Sequence, residues 1–433
     1  MLSTAENERL TRVGPGTPMG ELQRRYWHPI AGIDEMRDRW TKRVRLLGED
    51  LVLYKDRGGR FGLIHEFCPH RRASFAYGIP ESDGIRCPYH GWKFDAAGSC
   101  IEQPNEPPES SFKTKVRTAA YPVQELGGLL WGYLGPLPAP LLPRWEGFVH
   151  EGAIRTIGMA VVPCNWLQIM ENSFDPIHTE WLHGRFQEFY EEERGTKYAI
   201  SRKHLAIAFE EFEYGVYKRR LLAGAREDSD DWKIGHPVIF PNALAVGSGG
   251  GRLWKMHVYQ IRVPIDDENT LHIWYTAYEA PAGVVVPEHL LARIPVYDVP
   301  FRDEKGEFLM DMIDAQDIMA WLSQGRIFQR QTESLGTSDK GVILFRKILA
   351  RELEKIERGE DPMGVIRDPA KNACIAFPLE RDKAHFTDGF ESLMRRQYAR
   401  YAPFADDLVR LFNDYSEQRL REEFPQTTAA GGS

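Results

Sequence analysis

Two short boxes, each combining a cysteine with a histidine, constrain this chain more than any other feature of its sequence. The first is Cys68-Pro69-His70, and the second is Cys87-Pro88-Tyr89-His90-Gly91-Trp92. Sixteen residues, 71–86, separate the two boxes. Thiolates and imidazoles bind metals, and prolines and glycine favour the tight turns in which such ligands are presented. The pattern therefore predicts two ligand loops that meet at one metal site.

The order of the ligands distinguishes between two kinds of metal site. A zinc finger places both cysteines before both histidines, whereas here each box supplies one of each. A Rieske [2Fe–2S] centre needs two thiolates on one iron and two imidazoles on the other. We therefore predict a Rieske cluster bound by Cys68, His70, Cys87 and His90, with Trp92 as its shield. Because imidazole ligands raise the reduction potential of the cluster, the chain is predicted to receive electrons from a reductase.

The composition is that of a globular protein with two or three domains. The chain has 433 residues and a formal net charge of −8, which argues against nucleic acid or an anionic membrane as a partner. It has no apolar run of transmembrane length and no secretory signal. Cys100, Cys164 and Cys374, outside the boxes, are scattered, so no disulfide framework is expected. These features predict a cytoplasmic protein.

Turn residues and hydrophobic periodicity predict an α+β protein in three parts. Residues 1–40 form an N-terminal segment with a helix over Met19–Tyr26. Residues 41–145 form a small antiparallel β domain that carries both boxes, with a hairpin turn at 57–60. The proline-rich run 135–140 marks its end, and 146–433 form a larger α+β domain.

The larger domain mixes predicted strands with predicted helices. Strands are expected over Leu253–Val263 and Thr270–Ala277, where aromatic and β-branched residues are frequent. Helices are predicted over 306–323, 342–358 and 389–422, the last of which is rich in charged residues. The glycine-rich run 247–251 is expected to be a mobile loop, and the tail Thr427–Ser433 is expected to be disordered.

A second constellation within 172–183 places two histidines beside a carboxylate. His178 and His183 follow Asp175, and two histidines with one carboxylate are the ligands of a mononuclear iron that keeps positions open for O₂. Five residues correspond to about 140° around a regular α-helix, so the two histidines would not share a face. We therefore expect the helix to break or loosen between them. The alternative is an ordinary helix with two unrelated histidines.

Taken together, these motifs resemble the oxygenase (alpha) component of Rieske non-haem iron aromatic-ring-hydroxylating oxygenases, in the phthalate-dioxygenase-like branch. The resemblance extends over nearly the whole chain. Besides the two boxes, it rests on Leu10–Gly14 with Arg24–Trp27, on Glu171–His178, and on Gln316-Asp317 followed by Leu335–Asp339. It implies a Rieske domain followed by a helix-grip-like catalytic domain with a mononuclear iron.

The resemblance also assigns roles to residues around that iron. It implies His178, His183 and Asp317 as the ligands, with Asp311 and Asp314 on the same helix as rival choices for the carboxylate. It implies that Asp175 bridges a cluster histidine of one subunit to an iron-binding histidine of the next, the alternative being a helix N-terminal carboxylate. Asn172 is expected either to line the iron pocket or to cap a helix.

The implied reaction is reductive activation of O₂ with electrons from NAD(P)H, which hydroxylates an aromatic, carboxylated substrate. Oxidative O- or N-dealkylation and aryl ether cleavage are the alternatives, and a Rieske electron-transfer protein with a binding domain is the alternative from another class. No G-x-G-x-x-G follows a strand, so a separate flavin/iron–sulfur reductase is expected. The intersubunit bridge implies a homotrimer or a stacked hexamer.

An acidic substrate would need cations or polar groups in the pocket. Most candidates follow the segment that carries His178 and His183, and their alternative is that they are solvated surface residues. The last candidate lies in a later apolar stretch, and its alternative is a place in a buried strand. The candidates are Arg185, Arg202, Lys203, His204 and Asn242.

Overall fold

The computed structural model describes residues 1–196, 201–248, 254–379 and 394–423, with the side chains of 248 and 416–423 excepted. The described strands are β1 (Trp27–Gly32), β2 (Thr41–Leu46), β3 (Glu49–Lys55), β4 (Phe61–His65), β5 (Ile79–Glu81), β6 (Gly84–Arg86), β7 (Lys93–Phe94), β8 (Cys100–Glu102), β9 (Ala120–Tyr121), β10 (Val123–Leu126), β11 (Leu129–Tyr133), β12 (Ile154–Val162), β13 (His204–Phe212), β14 (Gly215–Leu222), β15 (His236–Ile239), β16 (Ala243–Ser248), β17 (Lys255–Pro264), β18 (Thr270–Glu279) and β19 (Val296–Asp298).

The helices flank the sheets, and the three longest of those described lie in the second half of the chain. The described α-helices are α1 (Thr4–Thr11), α2 (Pro18–Gln23), α3 (Glu146–Val149), α4 (Trp166–Ser173), α5 (His178–Glu180), α6 (Phe186–Glu192), α7 (Asp230–Lys233), α8 (Glu288–Leu291), α9 (Ile313–Ser323), α10 (Lys340–Glu357) and α11 (Ala405–Glu423). A π-helical segment, Trp181–Arg185, joins α5 to α6.

Two small antiparallel sheets hold the cysteine–histidine boxes. Their strand orders are β2-β3-β4-β9 and β5-β6-β7-β8. The buried side chains between these sheets form a core that includes Cys68 and Cys87. The first box follows β4, and the second lies between β6 and β7. The predicted hairpin turn at 57–60 is confirmed, because β3 and β4 pair on either side of that turn.

The N-terminal segment differs from its sequence-based prediction. The helix predicted over Met19–Tyr26 ends earlier, as α2, and residues 27–32 form β1, which pairs with β11. Every residue of β1 is buried, so this strand lacks the alternation of apolar and polar residues that marks a half-exposed strand. The domain boundaries at 40 and 145 stay predictions.

The larger domain is built on one long mixed sheet. Eight described strands follow the order β13-β14-β15-β16-β17-β18-β12-β19, antiparallel except for the parallel pair β12–β19. The predicted strands over 253–263 and 270–277 are confirmed as β17 and β18. Nearly all of β18 is buried, which explains why apolar and polar residues do not alternate strictly along it.

The late helices are confirmed with changed bounds. The helix predicted from 306 begins at Ile313, because residues 303–306 form a turn in which Asp303 accepts from the backbone of Lys305 and Glu307. The helix predicted over 342–358 is α10. Part of the helix predicted over 389–422 is α11, while 389–393 lie outside the described residues. Residues 249–251 of the predicted glycine-rich loop and the whole predicted tail, Thr427–Ser433, also lie outside the described residues.

In the described part of the chain, no helix has both the length and the apolar content needed to cross a bilayer.

Candidate metal centres

The two boxes converge as the ligand spacing predicted. The imidazole rings of His70 and His90 lie 4.6 Å apart, centre to centre, and the indole of Trp92 stacks on His70 at 4.3 Å with an interplanar angle of 8°. Cys68 and Cys87 are buried, whereas both histidines are partly exposed. This arrangement matches a cluster with its thiolate-bound iron inside and its imidazole-bound iron near the surface.

Backbone groups in both loops favour ionised cysteines. The hydrogen bond between the two sulfurs raises the pKa of Cys68 and lowers the pKa of Cys87 to about 6, and burial also raises the pKa of Cys68. Backbone N–H groups of His70 and Arg71 on Cys68, and of Tyr89 and His90 on Cys87, act toward the thiolate. Thiolates are the form that binds iron, and N–H donors to sulfur are a normal part of iron–sulfur sites. Gly91 has a φ of +75°, a conformation that glycine adopts at no steric cost. The second ligand loop depends on this turn.

The predicted loosening between His178 and His183 is present as the π-helical segment Trp181–Arg185. A π-helix bonds i to i+5, so it places residues five apart on one face. The two imidazole rings accordingly lie 5.2 Å apart, centre to centre. The local departure from α-helix is therefore what brings both side chains to the same site.

Asp317 from α9 completes a triad with these histidines. Its Oδ1 lies 3.1 Å from Nε2 of His183 and 3.7 Å from Nε2 of His178. All three ligand atoms lie within 4.8 Å of one another. Burial raises the pKa of Asp317, but both histidines and Arg262 outweigh it, so the carboxyl is ionised well below neutral pH. Two imidazoles and one carboxylate fit a mononuclear iron with open positions.

Two amide side chains lie against the triad. Oε1 of Gln316 accepts from Nδ1–H of His183 at 2.9 Å, which leaves Nε2 free to bind metal. The Gln316 amide nitrogen donates to Gln187 and to the carbonyl of Met310. Asn172 approaches Asp317 Oδ1 at 3.5 Å through its amide nitrogen. The predicted role of Asn172 as a pocket residue stays a prediction.

The rival aspartates have other partners. Asp314 accepts from the indole N–H of Trp274 at 2.8 Å and from the backbone N–H of Tyr398 at 2.8 Å. Asp311 accepts from Arg400. These contacts favour Asp317 as the third ligand.

Asp175 lies between the π-helical region and solvent. Its Oδ2 is 3.5 Å from Nδ1 of His178, and its Oδ1 accepts from the backbone N–H of Ile177 at 2.7 Å. Burial raises the pKa of Asp175, but His178 and the N–H donor outweigh it and keep the carboxyl ionised. The structure thus provides one end of the predicted bridge, on the ring nitrogen of His178 that faces away from Asp317.

Among the described contacts, none joins the substrate-contact candidates to the triad. Arg185 is largely exposed and pairs with Glu188, while Arg202 and Lys203 are exposed. His204 contacts Glu180 through both its backbone and its ring. Asn242 is buried and donates to the carbonyl of Arg262. The roles of these residues in substrate binding stay predictions.

Two buried cations beside the triad were not predicted from the sequence. Lys218 on β14 and Arg262 on β17 are almost wholly buried. The charges of both act on Asp317, and Lys218 also acts on Asp175. Arg262 donates to Gln260, but no described residue accepts from its Nε. The sequence does not single them out, because Lys218 is followed by Arg219 and Arg220 on β14, and β17 carries other polar residues besides Arg262.

Comparison with known proteins agrees with this geometry. Residues 26–122 match the family model for the Rieske [2Fe–2S] domain, and residues 304–378 match a model described as "LigXa C-terminal domain like". The chain is 47% identical to the 5,5'-dehydrodivanillate O-demethylase oxygenase subunit of Sphingobium sp. (strain NBRC 103272 / SYK-6), over 88% of each chain. It is 32% identical to the phthalate 4,5-dioxygenase oxygenase subunit of Pseudomonas putida, over 84% of this chain and 89% of that one.

Solved structures share the fold. The structure matches a QL mutant of Pseudomonas putida CBB5 NdmA with caffeine at a TM-score of 0.61 and 19% identity, over 81% of this chain and 97% of that one. It also matches the oxygenase in a ferredoxin complex of carbazole 1,9a-dioxygenase at a TM-score of 0.57 and 18% identity, over 86% and 98%. These matches confirm an antiparallel Rieske domain joined to an α+β domain.

Fold and ligand sets together define the class of oxygenases that pair a Rieske cluster with a mononuclear iron. The chain belongs to the Rieske non-haem iron oxygenases, as the oxygenase (alpha) subunit of a multicomponent enzyme.

Proposed function

We propose that this protein removes a methyl group from a methoxylated aromatic carboxylic acid. The observation that carries this proposal is the 47% identity, over 88% of both chains, to an O-demethylase oxygenase subunit. In the balanced reaction, the aryl methyl ether, O₂, NAD(P)H and one proton give the phenol, formaldehyde, water and NAD(P)⁺. This proposal takes up the dealkylation alternative of the sequence analysis.

An iron held by His178, His183 and Asp317 would supply the activation of O₂, and a cluster held by the two boxes would supply the electrons. The protein's own residues hold the ligands in place. Gln316 fixes the tautomer of His183, and Asp175 orients the ring of His178. The three ligating side chains are each only partly exposed.

Lys218 and Arg262 are the residues that we propose bind the substrate carboxylate. Both are buried cations whose charges reach Asp317, so a carboxylate between them would lie near the iron. A buried cation is costly without an anionic partner, and a substrate carboxylate would provide one. Nε of Arg262 is an N–H donor that lacks an acceptor in the described structure.

Hydroxylation of an aromatic carboxylate is the second candidate. It is favoured by the 32% identity to the phthalate 4,5-dioxygenase oxygenase subunit. The same two cations would serve this reaction. Which bond is oxidised depends on the part of the substrate that is placed against the iron.

The electron donor is proposed to be a separate flavin/iron–sulfur reductase that uses NAD(P)H. The relatives are oxygenase subunits of multicomponent enzymes, and one structural neighbour is in complex with a ferredoxin. An active homotrimer, or a stacked hexamer, is part of the same proposal. A Rieske electron carrier would have no use for the triad of His178, His183 and Asp317.

A coupled assay tests the proposed reaction. The purified protein, a class-matched reductase and NADH are incubated with 5,5'-dehydrodivanillate, vanillate, phthalate or benzoate. We expect formaldehyde and a phenol to form in equal amounts from a methoxylated acid. Turnover of phthalate to a ring-hydroxylated product, without turnover of either methoxylated acid, would favour the second candidate. NADH-driven cluster reduction without any product would favour the electron carrier.

A further inference from the structure

A second cluster of ligating side chains lies on the opposite face of the long sheet from Arg262. His257 on β17 is five residues from Arg262, so strand alternation places the two side chains on opposite faces. Glu279 on β18 lies two residues beyond Ala277, the cross-strand partner of His257, and shares its face. Both side chains are almost fully buried.

Helix α3 adds two more ligating groups above this face. Glu146 is its first residue and His150 is its C-cap, one helical turn later on the same side. Gly147 lies between them, and a Cβ there would approach Cβ of His257 to 2.9 Å. Glycine at 147 therefore allows the helix to sit this close to the strand.

Three of these side chains converge closely, and His150 lies beside them. Nε2 of His257 is 2.7 Å from Oε1 of Glu279, and Nε2 of His150 is 3.3 Å from its Oε2. Ligand atoms of Glu146, His257 and Glu279 all lie within 4.8 Å of one another. The ammonium of Lys255 is 3.3 Å from Oε2 of Glu279, which shows that this carboxylate already attracts a cation.

We propose that Glu146, His150, His257 and Glu279 bind a divalent transition metal of the zinc type. Imidazole nitrogens and carboxylate oxygens both bind zinc, and two carboxylates neutralise the charge of the ion. Four protein ligands leave no open position, so the site is structural. The metal takes the place of the Lys255 ammonium, which is partly exposed, and of the proton shared by His257 and Glu279.

The metal would fasten α3 to the sheet. This helix follows the proline-rich run at 135–140 and leads into β12, so it lies where the predicted Rieske domain joins the larger one. Because a metal that binds only the folded state stabilises it by mass action, zinc should raise the melting temperature of the full protein.

Zinc titration of the full-length, iron-loaded protein tests the proposal. We expect wild-type protein to bind one zinc ion per chain in addition to its iron, and to melt at a higher temperature with zinc. Loss of a residue that only supports a ligand weakens metal binding by roughly 10–100-fold. The double variant Glu146→Gln/His150→Gln changes two proposed ligands, so it should weaken zinc binding by more than that. Cobalt gives a second readout, because tetrahedral Co(II) adds visible absorption that the double variant should lack.

A matched control uses an adjacent exposed pair with the same change of charge, Glu288→Gln/His289→Gln on α8. It should bind zinc as the wild type does. Lys255→Met keeps all four ligands and removes the competing ammonium, so it should bind zinc more tightly than the wild type. Equal zinc affinity in the wild type and both double variants would overturn the proposal, and so would the absence of extra zinc in the wild type and in Lys255→Met.

Discussion

The third ligand of the triad lies on a helix that carries two other aspartates, and their partners separate their roles. Asp317→Ala should empty the mononuclear site and abolish turnover, because Asp317 is one of the three ligands of that site. The Rieske absorbance should stay, because Asp317 is not a ligand of the cluster. Asp314→Asn should keep its iron. Burial raises the pKa of Asp314 to about 6, and its contacts are with Trp274 and Tyr398.

Iron and acid-labile sulfide counts measure this difference. The wild type should hold three irons and two sulfides per chain, since two irons belong to the cluster and one to the triad. Asp317→Ala should hold two irons, and Asp314→Asn three. Loss of the third iron from Asp314→Asn but not from Asp317→Ala would show that the ligand assignment is wrong.

Asp175→Asn should leave both metals bound and slow electron transfer between them. A carboxylate accepts from two imidazole N–H groups, whereas an amide has one acceptor oxygen. The variant therefore loses either the contact to His178 or the one proposed to a cluster histidine. Single-turnover oxidation of the reduced Rieske centre, followed by its visible absorbance, gives the rate. Oxidation at the wild-type rate would contradict the bridging role.

Lys218 gives the proposed substrate site a pH dependence. Burial lowers its pKa to about 8; Arg220 and Arg262 add to this effect, while Asp175 and Asp317 oppose it. The ammonium is present below pH 8 and lost above it, so KM for an acidic substrate should rise above that pH. Lys218→Arg should delay the rise to higher pH, and Lys218→Met should remove it while raising KM throughout. An identical pH profile in all three proteins would exclude Lys218 as the carboxylate partner.

Residues in contiguous motifs were predictable, and residues placed by sheet register were not. The order and spacing of the two boxes predicted the cluster site, and the family resemblance added the pair His178 and His183, whose five-residue spacing does not suit a regular helix. Lys218 and Arg262 reach the triad region from β14 and β17, and the face to which each points depends on the register of a long sheet. Sequence proximity to the iron helix instead suggested Arg185 and Arg202, which are exposed.

At the scale of elements, a buried ion network fixes the helix that precedes the iron ligands. Glu171 on α4 accepts from Arg330 and Arg346, and Arg346 also pairs with Glu333. Glu171→Gln leaves two buried guanidinium groups undercompensated, so it should lower the free energy of unfolding by about 3–5 kcal/mol. Denaturation with urea, followed by circular dichroism, measures the change.

The exposed pair Arg9–Glu357 provides the control for this network. Glu357→Gln should change the free energy of unfolding by less than about 1 kcal/mol. Burial raises the pKa of Glu171, but the two arginines outweigh it, so its folded value lies below the ordinary 4.5. The stabilisation is therefore complete above that pH and is lost as the pH falls through the folded value. Equal effects of the two substitutions would show that the network does not stabilise α4.

Elements with a clear period or turn signal were predicted, and fully buried or very short ones were missed. The hairpin of β3 and β4 and the helix α10 follow their patterns. β1 is buried on both faces, and short strands such as β7 span two residues, so neither leaves a periodic trace. The π-helical segment was foreseeable only because His178 and His183 had to meet across five residues.

At the scale of the whole molecule, the bridge through Asp175 requires a second chain. Its carboxylate is partly exposed beside His178, and His70 and His90 are partly exposed on the Rieske domain. If the carboxylate of one chain meets a cluster histidine of the next, the contact is head-to-tail, and closed head-to-tail contacts generate rings. We expect a trimer, or a hexamer of two stacked trimers, in sedimentation at assay concentration. Dilution that dissociates the ring should abolish reductase-coupled turnover while each chain keeps its cluster. A monomer with full turnover would refute the intersubunit path and the bridging role of Asp175 together.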